Sequence, residues 1–468
     1  MAREKKRKTK SRKGTESDRH VDVPLVPTVE FVHEHITSAL CEEVYQENRN
    51  SERERKWSLF ALARFWIAVI YLAPPSLSHL LEKTRRADPE GLLPQVDASA
   101  EAFFQKCKGF SSRFFLALYH RFVKRILRVV PKSYSAELAP IWEKFTDLLA
   151  IDGSRLDKIA HRLKILWKED AAVLPGCLSA VYDLCRGVAV GLDFNNDAAA
   201  SESKRGVKII EALKAGSLIL GDRLYCTLKF FRALEKQHCF GVFRRNMVVS
   251  IEKIRRFSKR KLVEGVVEDW LVLAGKGKHA RQLRLVILTR GKKKHEAVTN
   301  VLDPKRLSAK EIVTLYPYRW QIERLFYDLK EVLNLHSFYA ANPNAVAMQV
   351  YAAAIVHVAF RVAQAKLADT LDIEPEALSP KKLFPHLAVV SIKLIEAEFY
   401  FEATQKANPG IKLRKPNWKK LPDSVVSLHR ILVQVRSEHR RKRKFSARRR
   451  TWTSFRKALK PGELEKLS

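Results

Sequence analysis

Residues 316–330 read YPYRWQIERLFYDLK, and the fold turns on whether this stretch is a helix and on what that helix carries. At roughly 100° per residue, Arg319, Glu323 and Lys330 fall at about 0°, 40° and 20°, one narrow stripe. Ile322, Phe326, Leu329 and Leu333 fall on the flank beside it, between about 280° and 340°. The stretch therefore predicts a helix with a core face and a charged edge, on which one carboxylate stands between two cations. Pro317 suits the first helical position, where its missing N–H costs nothing, and it sets Tyr316 in an extended or capping conformation ahead of the stripe. Solvated charges supporting one another at i, i+4 spacing would give the same pattern. Asp328 and Glu331 lie about 90° or more from the stripe and are expected to face elsewhere.

Upstream, the composition changes near residue 145. DLLAIDGSRL predicts a strand ending in Asp152-Gly153, and CLSAVYDLCRG and VAVGLDF predict two more, joined by a hairpin around Arg186-Gly187. ESKRGVKIIEALKA reads as a helix, SLILGDRLY as a short buried strand with Asp222 just past it, TLKFFRALEKQ as a helix and CFGVFRR as a strand. Three strands, helix, strand, helix, strand is the order of an RNase H-like core, in which the first and fourth strands are neighbours. That adjacency would bring Asp152 and Asp222 together. Taken singly, Asp-Gly is a common turn and Asp222 beside Arg223 a ready local ion pair. With Glu323 they form the all-oxygen set that Mg²⁺ or Mn²⁺ prefers. Asp147, Asp157, Asp183 and Asp193 lack that strand-end placement.

Tyr316, Arg319, Glu323 and Lys330 reproduce a Y-(2)-R-(3)-E-(6)-K signature at every spacing. In this the stretch resembles the DDE transposases of bacterial insertion sequences, in particular the insertion-sequence-four family. The resemblance covers residues 145–365 well and the two ends loosely. It implies that Asp152, Asp222 and Glu323 are the catalytic residues and hold two divalent ions, Mg²⁺ or Mn²⁺, about 3.5–4 Å apart. It further implies that Tyr316, Arg319 and Lys330 bind phosphates beside the scissile bond, Arg319 through a two-point contact. The implied activity is cleavage of double-stranded DNA at the element ends followed by strand transfer into target DNA, without a covalent protein intermediate and by way of a hairpin in some members. A homodimer that processes two ends together, in a bacterial cytoplasm beside the nucleoid, is the implied setting. A transposase-derived protein that only binds DNA, or an RNase H-like nuclease or resolvase without strand transfer, would share parts of this sequence; the intact carboxylates and the Tyr316, Arg319 and Lys330 set favour transposition.

Composition agrees with a polyanionic partner. The 87 Lys and Arg residues against 51 Asp and Glu give a net charge of +36. Nucleic acid is the default partner for such a chain and an anionic membrane surface the runner-up. Hydrophobic residues make up 46% of the 468, enough for a sizeable core. None of the six Cys residues forms a C-x-x-C pair, which argues against a zinc module or a disulfide framework. No secretory signal is recognisable, and the apolar run at 57–73 is interrupted by Arg64, so it reads as a buried helix rather than a membrane span.

The expected organisation is α/β. A basic disordered arm at 1–20 holds nine Lys or Arg against three acids. An all-helical region at 21–144 is expected to bind the element ends. Its segments run over Val29–Val44, Trp57–Leu72, Leu77–Lys83, Ala98–Cys107 and Ser112–Val129, with either a helix-turn-helix around Asp88-Pro89-Glu90-Gly91 or a plain bundle. The RNase H-like mixed-sheet catalytic core at 145–370 carries an antiparallel β insertion at about 246–304, with a turn at Gly275-Lys276-Gly277. From that insertion Trp270 either reaches DNA or covers the sheet. A long apolar helix closes the core after a linker, His336 and His357 reading as ordinary surface or core residues. A helical basic region at 371–468 interleaves Phe445, Trp452 and Phe455 with cations, a mixture suited to phosphates and base stacking.

Overall fold

The computed structural model describes residues 20–23, 26–87, 92–156, 176–197, 200, 202–262, 265–335, 337–340, 342–386, 407–408 and 424–427. A short strand β1 (His20–Val23) precedes the helices α1 (Val26–His35), α2 (Ser38–Asn48), α3 (Leu59–Leu72), α4 (Leu77–Thr84), α5 (Ala100–Gly109), α6 (Arg113–Ile126) and the single turn α7 (Ala139–Trp142). Hydroxyl residues start four of them: Thr37, Ser58, Ser76 and Ser99 each accept a hydrogen bond from a backbone N–H of the first turn. Thr37 also divides what reads as one helix over Val29–Val44 into α1 and α2.

The strands β2 (Leu148–Arg155), β3 (Cys177–Asp183) and β4 (Val188–Asn195) lead into helix α8 (Glu202–Ile210), β5 (Leu218–Gly221), α9 (Leu228–Lys236) and β6 (Phe240–Arg244). Four longer strands follow, β7 (Ile251–Leu262), β8 (Gly265–Ala274), β9 (Arg281–Arg290) and β10 (Lys293–Thr299). All nine form one mixed sheet in the order β4-β3-β2-β5-β6-β10-β9-β8-β7. β2, β5 and β6 run parallel to their neighbours in that group and every other ladder is antiparallel. The segment expected as an insertion is thus antiparallel, and β10 returns beside β6 through Ala297 opposite Arg244, so it extends the central sheet.

Helix α10 (Ala309–Leu315) opens on a capping box between Ser308 and Glu311. It is followed by a 3₁₀ segment at Tyr316–Trp320, α11 (Gln321–Tyr327), a π turn at Asp328–Val332 and the 28-residue α12 (Pro343–Thr370). β11 (Ser424–Ser427) pairs antiparallel with β1, a strand where a helical region is expected.

Alternation along β2 shows how the layers form. Leu148 and Ala150 join a core shared with α3, α6, α11 and α12, whereas Leu149 and Ile151 point to the other face, where Phe230, Phe231 and Leu234 of α9 cover them. α12 is the one helix among the described residues long and apolar enough to cross a bilayer, and its apolar window is wholly buried here. It packs on α3 and α1 on one side and β4 on the other. The apolar run at 57–73 likewise holds a largely buried helix, Leu59–Leu72.

Several expectations need correction or fall outside the described residues. The strand carrying Asp152 continues to Arg155, because its pairing with β3 runs on to Cys177. α4 ends at Thr84 and α5 begins at Ala100, a connection too long for the short turn of a helix-turn-helix; Asp88 to Gly91 are not described. The basic arm up to residue 19, Asp157, His336 and the basic run at 438–457 also lie outside the described residues.

Candidate active site

The β2–β5 ladder sets Ile151 opposite Gly221, so Asp152 and Asp222 follow side by side on parallel strands. Asp222 leaves the sheet at once and caps the turn Arg223–Tyr225, its Oδ1 accepting from Arg223 N at 2.6 Å. Asp152 Oδ1 accepts from Gly153 N at 2.9 Å. Tyr316 lies buried over this end of the sheet, its hydroxyl donating to the Gly221 carbonyl at 3.2 Å. Its backbone is helical, with φ −57° and ψ −35°, not extended as Pro317 suggests.

From that anchor the signature segment crosses the carboxylates. Arg319 is buried, with Nη1 3.0 Å from Asp152 Oδ2 and Nη2 3.6 Å from Glu323 Oε1, and the indole of Trp320 lies 4.6 Å from its guanidinium. Lys330 donates from Nζ to Ser154 Oγ at 2.7 Å and also to the Arg155 carbonyl. Together Asp152, Gly153, Ser154, Glu323, Lys330 and Glu331 border a cleft of about 320 Å³.

Glu331 was expected to face away, and the structure places it on the cleft. The reason is geometric: the stretch is a 3₁₀ segment, an α turn and a π turn in succession, so rotation per residue is not constant and a uniform 100° misplaces its end. Asp328 does face elsewhere, buried 3.6 Å from His357 of α12.

Electrostatically the site holds more negative charge than it can settle. Burial, opposed by Arg319 and reinforced by the nearby Glu202 and Asp222, pushes the Asp152 carboxyl up to about 6. Burial, again opposed by Arg319 and reinforced by Asp152 and Asp222, pushes Glu323 up to about 7. Among the described residues no three Asp, Glu, His or Cys side chains converge closely enough to hold a metal ion as they stand. Arg319 supplies positive charge between Asp152 and Glu323 instead. An all-oxygen donor set with surplus negative charge fits a hard divalent cation.

Glu202, the first residue of α8, has no counterpart in the signature. A Cβ on Gly153 would come within 2.5 Å of its Cδ, and its Oε1 accepts from the Tyr225 hydroxyl at 2.6 Å. The glycine after Asp152 is the trace of that approach in the sequence. Other acids near the sheet are settled: Arg186 pairs with Asp147 at 3.0 Å and Asp183 at 2.7 Å, and Arg205 with Asp193 at 2.8 Å. Trp270 lies apart on β8, its Nε1 donating to Glu268 at 2.9 Å, with Lys253 and Arg256 over its ring at 4.4 and 5.4 Å. It covers the sheet and carries two cations on its outer side.

Residues 145–359 match the family described as "Transposase DDE domain". A Sinorhizobium fredii protein named "Putative transposase y4zB" is 32% identical over 174 residues, covering 36% of this chain and 48% of that protein. A Synechocystis protein named "Putative transposase for insertion sequence element IS4SA" is 28% identical over 166 residues, covering 34% of this chain and 45% of its own length. The chain thus spans about half the length of the curated relatives it matches. A solved structure of the piggyBac transposase synaptic complex with hairpin DNA aligns over 84% of this chain and 83% of its own at 12% identity and a TM-score of 0.37. The chain's central residues 145–359 are thus similar to the DDE domain of transposases, and both curated relatives carry the name of a putative transposase.

Proposed function

We propose that this protein is a DNA transposase that cleaves phosphodiesters at the ends of an insertion sequence and joins the freed 3′-OH to target DNA. The observation that carries the reading is the Arg319 guanidinium set between Asp152 and Glu323 at 3.0 and 3.6 Å, beside the strand pair that brings Asp222 to Asp152. The strand order β4-β3-β2-β5-β6, with β2 parallel to β5 and β5 to β6, supports an RNase H-like core. In this reading residues 145–370 are the catalytic domain and the helices before them bind the element ends.

Asp152, Asp222 and Glu323 would hold Mg²⁺ or Mn²⁺, two ions in the active complex, whose chemistry when bound would be to activate an attacking oxygen and stabilise a leaving one. The chain's own cations do the positioning. Arg319 is freed to grip the scissile phosphate through two N–H groups. Lys330, fixed by Ser154 and the Arg155 carbonyl, keeps a positive charge at the cleft wall. Tyr316 serves by holding the end of β5 through the Gly221 carbonyl, and its hydroxyl would meet a phosphate only on giving up that bond. Trp270 would meet DNA through Lys253 and Arg256. The substrate is double-stranded DNA, acted on by a homodimer in the cytoplasm beside the nucleoid.

The test is a cleavage and joining assay with Mg²⁺ or Mn²⁺ on a plasmid bearing the gene's flanking sequence. Glu323→Ala is expected to abolish both products while end binding persists. Arg319→Ala is expected to slow cleavage on the order of 10²-fold, the usual cost of one well-placed electrostatic contact. Cleavage retained in Glu323→Ala would sink the assignment.

A further inference from the structure

Glu202, the first residue of α8, touches both strand ends from which Asp152 and Asp222 project. On β2 its side chain lies against the backbone of Gly153, so close that a Cβ there would come within 2.5 Å of its Cδ and 2.7 Å of its Oε2. Gly153 shares the face of Leu149 and Ile151, which α9 covers, so Glu202 approaches β2 from the side opposite α11. Beyond β5 its Oε1 accepts at 2.6 Å from the hydroxyl of Tyr225, on the turn that Asp222 caps. One turn further along α8, Gly206 lets the Tyr225 ring close on the helix: a Cβ there would meet Tyr225 Cε1 at 2.8 Å. Two glycines and a buried tyrosine thus fix one carboxylate against both strand ends.

Packing does not require a charge at this place. A buried hydroxyl needs an acceptor, but one oxygen suffices. Among the described residues Oε2 has no hydrogen-bond partner and no cation pairs with Glu202. Arg205 of the same helix is taken by Asp193 at 2.8 Å, and Arg319 by Asp152 and Glu323. The first turn of a helix favours an acid, which accounts for a glutamate at the start of α8 and not for the room made by Gly153 and Gly206. Left alone, one more carboxylate beside Asp152 and Asp222 destabilises the fold by like-charge repulsion. A hard divalent cation, which takes carboxylate oxygens, reverses that sign. Asp152 and Glu323 must release Arg319 to meet such an ion; Glu202 has no ion pair to release.

We propose that Glu202 is a fourth carboxylate of the divalent-cation site, its Oε2 a further oxygen donor beside Asp152, with Tyr225 as the residue that positions it. This rests on the cation-dependent, DNA-cleaving reading of Asp152, Asp222 and Glu323.

The experiment titrates Mn²⁺ into the full chain without DNA, read from the EPR signal of the free ion. Glu202→Gln keeps an oxygen for the Tyr225 hydroxyl and is expected to raise the dissociation constant on the order of tenfold or more. Tyr225→Phe keeps the ring in its packing; it is expected to weaken binding in the same direction and to add nothing in the Glu202→Gln background. In EDTA the thermal midpoint of Glu202→Gln is expected to match or exceed that of wild type, because a repulsive charge is gone, and Mn²⁺ should raise it less. A glutamate that only supports the fold would lower the midpoint equally with and without the ion. That equal lowering, a wild type that takes up no Mn²⁺, or an affinity unchanged in Glu202→Gln overturns the proposal. Cleavage of end duplexes separates this failure from that of the underlying reading. Wild-type cleavage lost in Glu323→Ala, with Mn²⁺ affinity indifferent to Glu202, removes Glu202 alone from the site. If wild type does not cleave, the transposase reading falls, and the Mn²⁺ affinity of Glu202→Gln still decides whether this carboxylate holds an ion.

Discussion

At the scale of residues, Asp152 and Glu323 set the pH behaviour. Their carboxyls sit at about 6 and about 7 in the folded chain, against about 4 when unfolded. Between those values these two groups bind more protons in the folded state than in the unfolded one, so their contribution to stability falls as pH rises from about 4 to about 7, against the opposite contribution of buried His33, whose pKa burial lowers to about 3. In EDTA the thermal midpoint of wild type relative to that of Glu323→Gln, in which His33 is unchanged, is therefore expected to drop over that interval. Adding Mg²⁺ at pH 8 should raise the wild-type midpoint and leave that of Glu323→Gln nearly unchanged; equal shifts in both would detach the ion from Glu323. Spacing made Arg319, Glu323 and Lys330 legible, since each is fixed by one local segment. Glu331 was not, because hydrogen-bond pattern sets rotation along a π turn and residue identity only weakly biases that pattern. Glu202 was hidden for a different reason: tertiary packing alone brings α8 over Gly153.

Among the elements, the extension of the sheet is tied to the signature segment by one buried ion pair. Arg284 of β9 meets Asp269 of β8 at 2.7 and 2.6 Å and donates at 2.5 Å to the carbonyl of Leu307, just ahead of the cap of α10. Both side chains are buried. Asp269→Ala is expected to cost about 3–5 kcal/mol by stranding a buried guanidinium, read from denaturant unfolding. Asp269→Leu with Arg284→Met should recover most of it, and a double variant no better than the single would show that the pair is not the cause. Val, Leu and Ile alternating with charged residues point to the antiparallel strands that β7 to β10 form. Nothing in that pattern marks Asp269 and Arg284 as buried; the sheet takes both inside, where only a partner makes them tolerable. The strand order around Asp152 and Asp222 was legible because each strand ends at a turn or helix signal.

For the whole molecule, the net charge of +36 is concentrated in part at the two basic ends. DNA affinity measured by fluorescence anisotropy is expected to fall on the order of 10³-fold or more between 50 and 200 mM salt, as for a protein touching six or more phosphates. Removing residues 1–19 and 438–468 should flatten that slope by several units and leave low-salt cleavage standing. An unchanged slope would place the phosphate contacts on the central domain. Helix α12 carries a consequence for how the chain is made. It fills the middle of the helical layer, against α3 and α1, yet it emerges from the ribosome long after they do. At the usual pace of synthesis, roughly 5–20 residues per second, the apolar surfaces of α3 wait on the order of tens of seconds for their partner. During that interval Trp66, Phe65 and Ile67 need a chaperone or the ribosome surface as a temporary shelter, so the yield of soluble protein should depend on translation speed and chaperone supply.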